Sequence, residues 1–96
     1  MAVVYIAGPM TGLPDFNFPA FHAAAQMLRA DGHTVVNPAE LSGTTDQPWD
    51  YYMRLSLKAM LDCDTIYLLE NWQASKGAFI EFNLAQNLGF HIVFAS

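Results

Sequence analysis

Hydrophobic positions along the chain fall into two rhythms: short unbroken apolar runs and longer stretches at helical spacing. Residues 2–7 (Ala-Val-Val-Tyr-Ile-Ala) are almost wholly apolar and end at Gly8-Pro9, the pattern of a strand buried on both faces, as in a parallel sheet. The segment from Gly8 to Asn17 is punctuated by Gly and Pro and reads as a loop. Pro19 suits the first turn of a helix capped by Asn17 or Phe18, with Phe21, Ala24, Ala25 and Leu28 as its apolar stripe and Gly32 as its stop. Residues 33–37 predict a second strand closed by Pro38, followed by a polar connection to Gln47. A second helix starts near Pro48, with Trp49, Tyr52, Met53, Leu57, Met60 and Leu61 at helical spacing. Residues 65–69 predict the third strand and 71–76 a loop. The third helix runs from about 77 to 88, ahead of Gly89, and residues 91–95 predict the fourth strand.

Strands alternating with helices of about 12 residues imply right-handed crossovers. The expected fold is a three-layer, Rossmann/flavodoxin-like α/β domain over residues 1–96, with a parallel sheet in the order 2-1-3-4 and three helices. In such a sheet ligands bind outside the carboxyl ends of the strands, near the point where strand order reverses. Three loops meet that edge: residues 8–17, 38–47 and 70–76. Asp62, Cys63 and Asp64 fall on the opposite edge and are expected to turn and cap the chain. Asp50 and Arg54, four apart on the second helix, are expected to form a solvated pair.

Composition narrows the function. Hydrophobic residues make up 53% of the 96 and charged residues only 14%, against about 25% charged in an ordinary soluble domain. Aromatic content of 14% excludes disorder, and no apolar run is long enough for a membrane span. Four cations against nine acids, a net charge of −5, cannot build the basic face that duplex nucleic acid requires. A bound phosphate must be held mainly by backbone N–H groups and hydroxyls. So few charges also imply a homodimer or higher homo-oligomer, because some helix surface needs covering. Cys63 is the single cysteine, and with no leader-like run ahead of the first strand the expectation is a cytoplasmic protein.

Two places carry candidate chemistry. Ser75-Lys76-Gly77 opens the third helix, offering free N–H groups, a hydroxyl and an ammonium; this is either an anion site or an ordinary serine cap. Glu81 falls near the middle of a broad arc formed by Ile80, Leu84, Leu88, Ala85, Ala78 and Phe82. A carboxylate centred on a buried face must be paired, hydrogen-bonded or protonated, so Glu81 is either a functional group at the ligand edge or a structural partner of a hydroxyl such as Tyr5. His22, His33 and His91 lack ligand spacing, so no metal is expected. The first loop carries neither a dinucleotide nor a P-loop motif, so no NAD, ATP or other cofactor is expected.

Tyr5-Ile-Ala-Gly-Pro-Met-Thr-Gly12, Asn17-Phe-Pro-Ala-Phe21, Gly32-His-x-Val-Val-Asn-Pro38, Cys63-Asp64, Trp72 and Ser75-x-Gly-Ala-x-x-Glu81 resemble the signature blocks of the nucleoside 2-deoxyribosyltransferase-like superfamily, in particular its small phage and bacterial branch. The resemblance implies that Glu81 attacks the anomeric carbon of a 2′-deoxynucleoside or its 5′-monophosphate. It implies an active-site role for Tyr5, and for Ser75 a phosphate contact like that of the deoxynucleoside 5′-monophosphate hydrolases. Gly8, Pro9, Met10, Thr11, Asn37, Lys76 and Gly77 would line the substrate site. Pro9 and Thr11 stand where those hydrolases carry a serine and an arginine, and Ser56 stands where relatives carry a catalytic aspartate. The implied partner is a small-molecule nucleoside or nucleotide. Three readings stay open: an N-glycosidase or transferase, a nucleotide-binding protein without turnover, and a protein that retains only the fold.

Overall fold

The first strand forms because the run after Met1 offers β-branched and aromatic side chains to both faces of a sheet. In the computed structural model, which describes residues 1–41 and 47–95, β1 spans Val3–Ala7, β2 Thr34–Val36, β3 Thr65–Leu68 and β4 His91–Phe94. All neighbouring pairs are parallel and the order is β2-β1-β3-β4, as the alternation of elements predicts. Three helices complete the layers: α1 (Phe18–Ala30), α2 (Trp49–Met60) and α3 (Lys76–Asn87).

Alternation along β1 divides the core. Val4 and Ile6 pack with Phe21, Ala24, Ala25 and Leu28 of α1, the stripe expected from their spacing. Tyr5 and Ala7 point to the other face, among Met60 of α2 and Ala78 and Ala85 of α3. The first helix begins as expected around Pro19, but Asn17 caps it with its backbone alone. The Asn17 side chain instead donates to the Pro9 carbonyl at 3.0 Å. Asp15, Phe16 and Asn17 all hold positive φ, a costly run for residues with a Cβ.

Two expectations about burial fail. Trp49 and Leu61 of the second apolar pattern are exposed, and so are Ile80 and Leu88 of the third, Leu61 at 54% and Leu88 at 52%. The sheet has room for only one line of contact per helix, so Met60 on α2 and Ala78, Glu81 and Ala85 on α3 are the residues that become buried. Of the 38–47 connection, Pro38–Glu40 form a short 3-10 turn, and residues 42–46 lie outside the described residues.

The edge opposite the candidate site behaves as expected. Asp64 Oδ1 accepts from the Val3 N–H and the Thr65 hydroxyl, pinning the entry to β3. Burial, with the charges of Asp62 and Asp64, pushes the Cys63 thiol up to about 11. Asp50 and Arg54 form an exposed pair at 3.6 Å.

Candidate active site

Glu81 sits in the second turn of α3, and its sheet-facing position leaves it 6% exposed. Tyr5, fully buried in the middle of β1, reaches it from the sheet: the phenol donates to Glu81 Oε2 at 2.5 Å. No other hydrogen bond to the carboxyl is found among the described residues, and no fully buried polar side-chain atom lacks a partner. The second oxygen, Oε1, is therefore the atom through which this carboxyl meets its surroundings.

Burial pushes Glu81 up to about 7, with the Tyr5 hydrogen bond pulling the other way. Tyr5 is driven well above the usual phenol range, first by burial and then by the Glu81 charge. The phenol therefore keeps its proton and donates it, and Glu81 Oε2 accepts whether the carboxyl is neutral or ionised. Ser56, half-buried on α2, lies near the same phenol and favours its ionised form. The sequence-derived trio Tyr5, Ser56 and Glu81 is thus assembled from three elements.

One and a half turns before Glu81, Ser75 caps α3 by accepting from the Ala78 N–H at 3.2 Å. The ordinary-cap reading of Ser75 is thereby realised, while the N–H groups of Lys76 and Gly77 still face the positive end of the helix. The Lys76 ammonium lies 4.5 Å from the centre of the Trp49 ring. A Cβ on Gly77 would come 3.3 Å from Met53 Sδ and 3.8 Å from Trp49, so the start of α2 rests directly on the start of α3. Trp49 and Met53 are neighbours that spacing alone presents as core residues. The signal for their position is the glycine inside the first turn of α3.

The first loop serves the other face. Gly8 lies where the exits of β1 and β3 cross; a Cβ there would meet Leu69 Cβ at 2.8 Å. Pro9 lines a crevice of about 470 Å³ with Leu13, Asn17, Tyr67, Leu69 and Asn71. Met10 packs toward α1, and Thr11 is exposed. Asn37 is 1% exposed; its Oδ1 accepts from the Ala39 N–H at 3.0 Å, and its Nδ2 lies 3.2 Å from His22. Both ends of that amide therefore hold the turn after β2. Neither this crevice nor a hollow of about 280 Å³ beside Phe94 touches Glu81 or Tyr5. The strand-order reversal between β1 and β3 thus has a crevice on the α1 side and the carboxyl–phenol pair on the α2/α3 side.

Comparisons with known proteins bear on the fold. Residues 2–94 match the family described as DUF4406, a domain of unknown function. The chain belongs to that family. Among solved structures it is similar to a 2-deoxyribosyltransferase from the psychrotolerant bacterium Bacillus psychrosaccharolyticus, with 21% identity and a TM-score of 0.76 over 97% of this chain and 71% of that one. The likeness extends to the whole sheet and its three helices, so this DUF4406 chain has the Rossmann-like fold of that enzyme. No curated protein matches its sequence. Among the described residues no group of three or more His, Cys, Asp or Glu is placed to hold a metal, and no helix is long and apolar enough to cross a membrane.

Proposed function

We propose that this DUF4406 protein cleaves or transfers the N-glycosidic bond of a 2′-deoxynucleoside or its 5′-monophosphate, with Glu81 as nucleophile. The observation that supports this reading is a buried carboxyl held by Tyr5 through one oxygen with the other left available. In the first step Glu81 Oε1 bonds to C1′ as the C1′–N bond breaks through an oxocarbenium-like transition state. The bond electrons leave with the base, which takes a proton from solvent. Water or a second base then attacks C1′ of the glycosyl ester and restores the carboxylate. Tyr5 keeps Oε2 occupied, so attack is directed through Oε1. In this reading the α3 N-terminus holds a 5′-phosphate: its free N–H groups and Lys76 lie about 6–8 Å along the axis from Glu81, and the Glu81 side chain leans back toward that end.

A second reading is supported by Ser56. Where a transferase is expected to place an acid for the leaving base, this chain has a hydroxyl, a poor proton donor. The cleft would then capture a nucleotide without turning it over. One assay separates the two: incubation with a panel of deoxynucleosides and monophosphates, followed by chromatography for free base and calorimetry for binding. Base release lost in Glu81→Gln supports the enzyme; tight binding with no release supports the capture protein.

A further inference from the structure

β2 is a sheet edge of only three residues, and both of its ends are tied down through imidazole rings. At its entry the Ala2 N–H donates to His33 Nδ1 at 3.1 Å, while the Ala2 carbonyl accepts from the Thr34 N–H. At its exit Asn37 Nδ2 meets His22 Nδ1 of α1 at 3.2 Å. Asn37 Oδ1 accepts from the Ala39 N–H, which fixes the orientation of the amide and makes Nδ2 the donor. Between the two ends Arg29 donates to the Val35 carbonyl at 3.1 Å and to Glu40 at 2.8 Å.

Both donors are N–H groups of known direction, so each ring must present a bare Nδ1 and carry its proton on Nε2. An imidazolium has an N–H at both positions and would set donor against donor at each end of the strand. The charged groups around the rings do not change this. Glu40 acts on His22 from the turn after β2, but Arg29, two turns further along α1, matches its charge. Asp15 stands in the turn before α1, and β1 and β2 carry no charged residue. Near His33 are the Met1 amino group, Asp31 two residues back, and Asp64, which already accepts from the Val3 N–H and the Thr65 hydroxyl. A carboxylate can attract an imidazolium; it cannot restore an acceptor at Nδ1.

We propose that His22 and His33 make β2 an acid-sensitive edge, held at both ends while the two rings are neutral and released at both ends when they take up protons. The stabilisation is present at neutral pH and is lost in mild acid. The loss of one neutral hydrogen bond corresponds to a factor of about 2–10 in local opening for each ring. The middle of the strand does not follow: Arg29 holds the Glu40 carboxyl below its ordinary range, so that pair and the Arg29 bond to Val35 persist in mild acid. Asn37 leads into the connection at the carboxyl edge of the sheet, so the β2 side of that edge is ordered at neutral pH and loosened below it. Tyr5 and Glu81 lie on the other face of the sheet, and the device does not depend on the proposed reaction.

The test is NMR of the 96-residue chain at about pH 7.5 and about pH 5. Two-bond nitrogen–proton couplings at the higher pH should show the Nε2–H form for His22 and His33, with His91, exposed at the start of β4, as the reference ring. Hydrogen-exchange protection at Thr34 and Ala39, corrected for intrinsic rates, should fall about two- to tenfold at the lower pH, while that of Ile66 in β3 does not. His22→Ala should leave Ala39 weakly protected at both pH values with Thr34 still responding, and His33→Ala should do the reverse. The wild-type measurements decide the matter even where a variant fails to fold. Three results overturn the proposal: an Nδ1–H on either ring at pH 7.5, equal protection at the two pH values for either amide, or an acid response that persists at the amide whose histidine has been replaced.

Discussion

Tyr5 and Glu81, 76 positions apart, share one proton across 2.5 Å, and the phenol is the donor. The phenol is anchored in the central β1 strand and the carboxyl in α3, so the contact ties the sheet to the helix that also carries Ser75 and Lys76. Its energetics set the first two predictions.

Glu81 is a destabilising residue above neutral pH. Its folded-state value of about 7 lies above its ordinary 4.5, so the folded protein holds a proton that the unfolded chain releases between those values. Stability is therefore unaffected below about pH 4.5, falls as pH rises through the window and reaches its full deficit above pH 7. The deficit is about 3 kcal/mol. Glu81→Gln keeps the shape and the acceptor for Tyr5, so urea unfolding should find it more stable than wild type at pH 8 and equal to it near pH 4.5. A variant less stable at pH 8 contradicts the burial argument.

Tyr5→Phe removes the hydrogen bond that favours the carboxylate. A bond to a charged group contributes about 1.5–3 kcal/mol, so Glu81 should titrate about one to two units higher, seen directly in the carboxyl carbon resonance. Base release by wild type should rise with pH to a plateau above about 7. In Tyr5→Phe that rise should move upward and activity at pH 7 should fall about tenfold. An unmoved titration would mean that the phenol does not control the acid.

Ser75 caps α3, and under the proposed function its hydroxyl contacts the 5′-phosphate. Ser75→Ala should lose about 1 kcal/mol of stability with the cap. Ser75→Asp keeps a capping oxygen but adds a negative charge where a 5′-phosphate would sit, so its stability should match wild type while affinity for monophosphates drops about tenfold or more. Calorimetry with a deoxynucleoside and its monophosphate reads the difference; equal loss for both ligands would remove the phosphate from this position.

Gly8→Ala tests the close crossing at the strand-order reversal. With Leu69 Cβ only 2.8 Å from the added methyl, the two strand exits must separate, which costs about 1–3 kcal/mol. Thermal unfolding at pH 7 should show a lowered midpoint, and a midpoint equal to wild type would mean that the crossing can relax.

The sheet order, three helices and α1 stripe were legible because each follows from local periodicity: Phe21, Ala24, Ala25 and Leu28 all face the sheet that their spacing requires. Glu81 was legible for the same reason, as the one carboxyl centred on an apolar arc. Periodicity does not report how wide the covered face is, and this is why Ile80, Leu88, Trp49 and Leu61 emerge exposed. Pairwise contacts between distant elements, such as Lys76 over Trp49 and Arg29 on the β2 edge, leave no trace in spacing. Neither does the division of the carboxyl edge into a crevice beside Pro9 and a separate carboxyl–phenol pair, because both sets of residues fall on the same edge in sequence.

The central claim is covalent attack by Glu81, and the direct measurement is mass spectrometry of the protein quenched in acid during incubation with the deoxynucleoside and monophosphate panel. The account predicts a 2-deoxyribosyl or 2-deoxyribosyl-phosphate adduct on the peptide containing Glu81, absent in Glu81→Gln. Base release at equal rates by wild type and Glu81→Gln, with no adduct on that peptide, would contradict it.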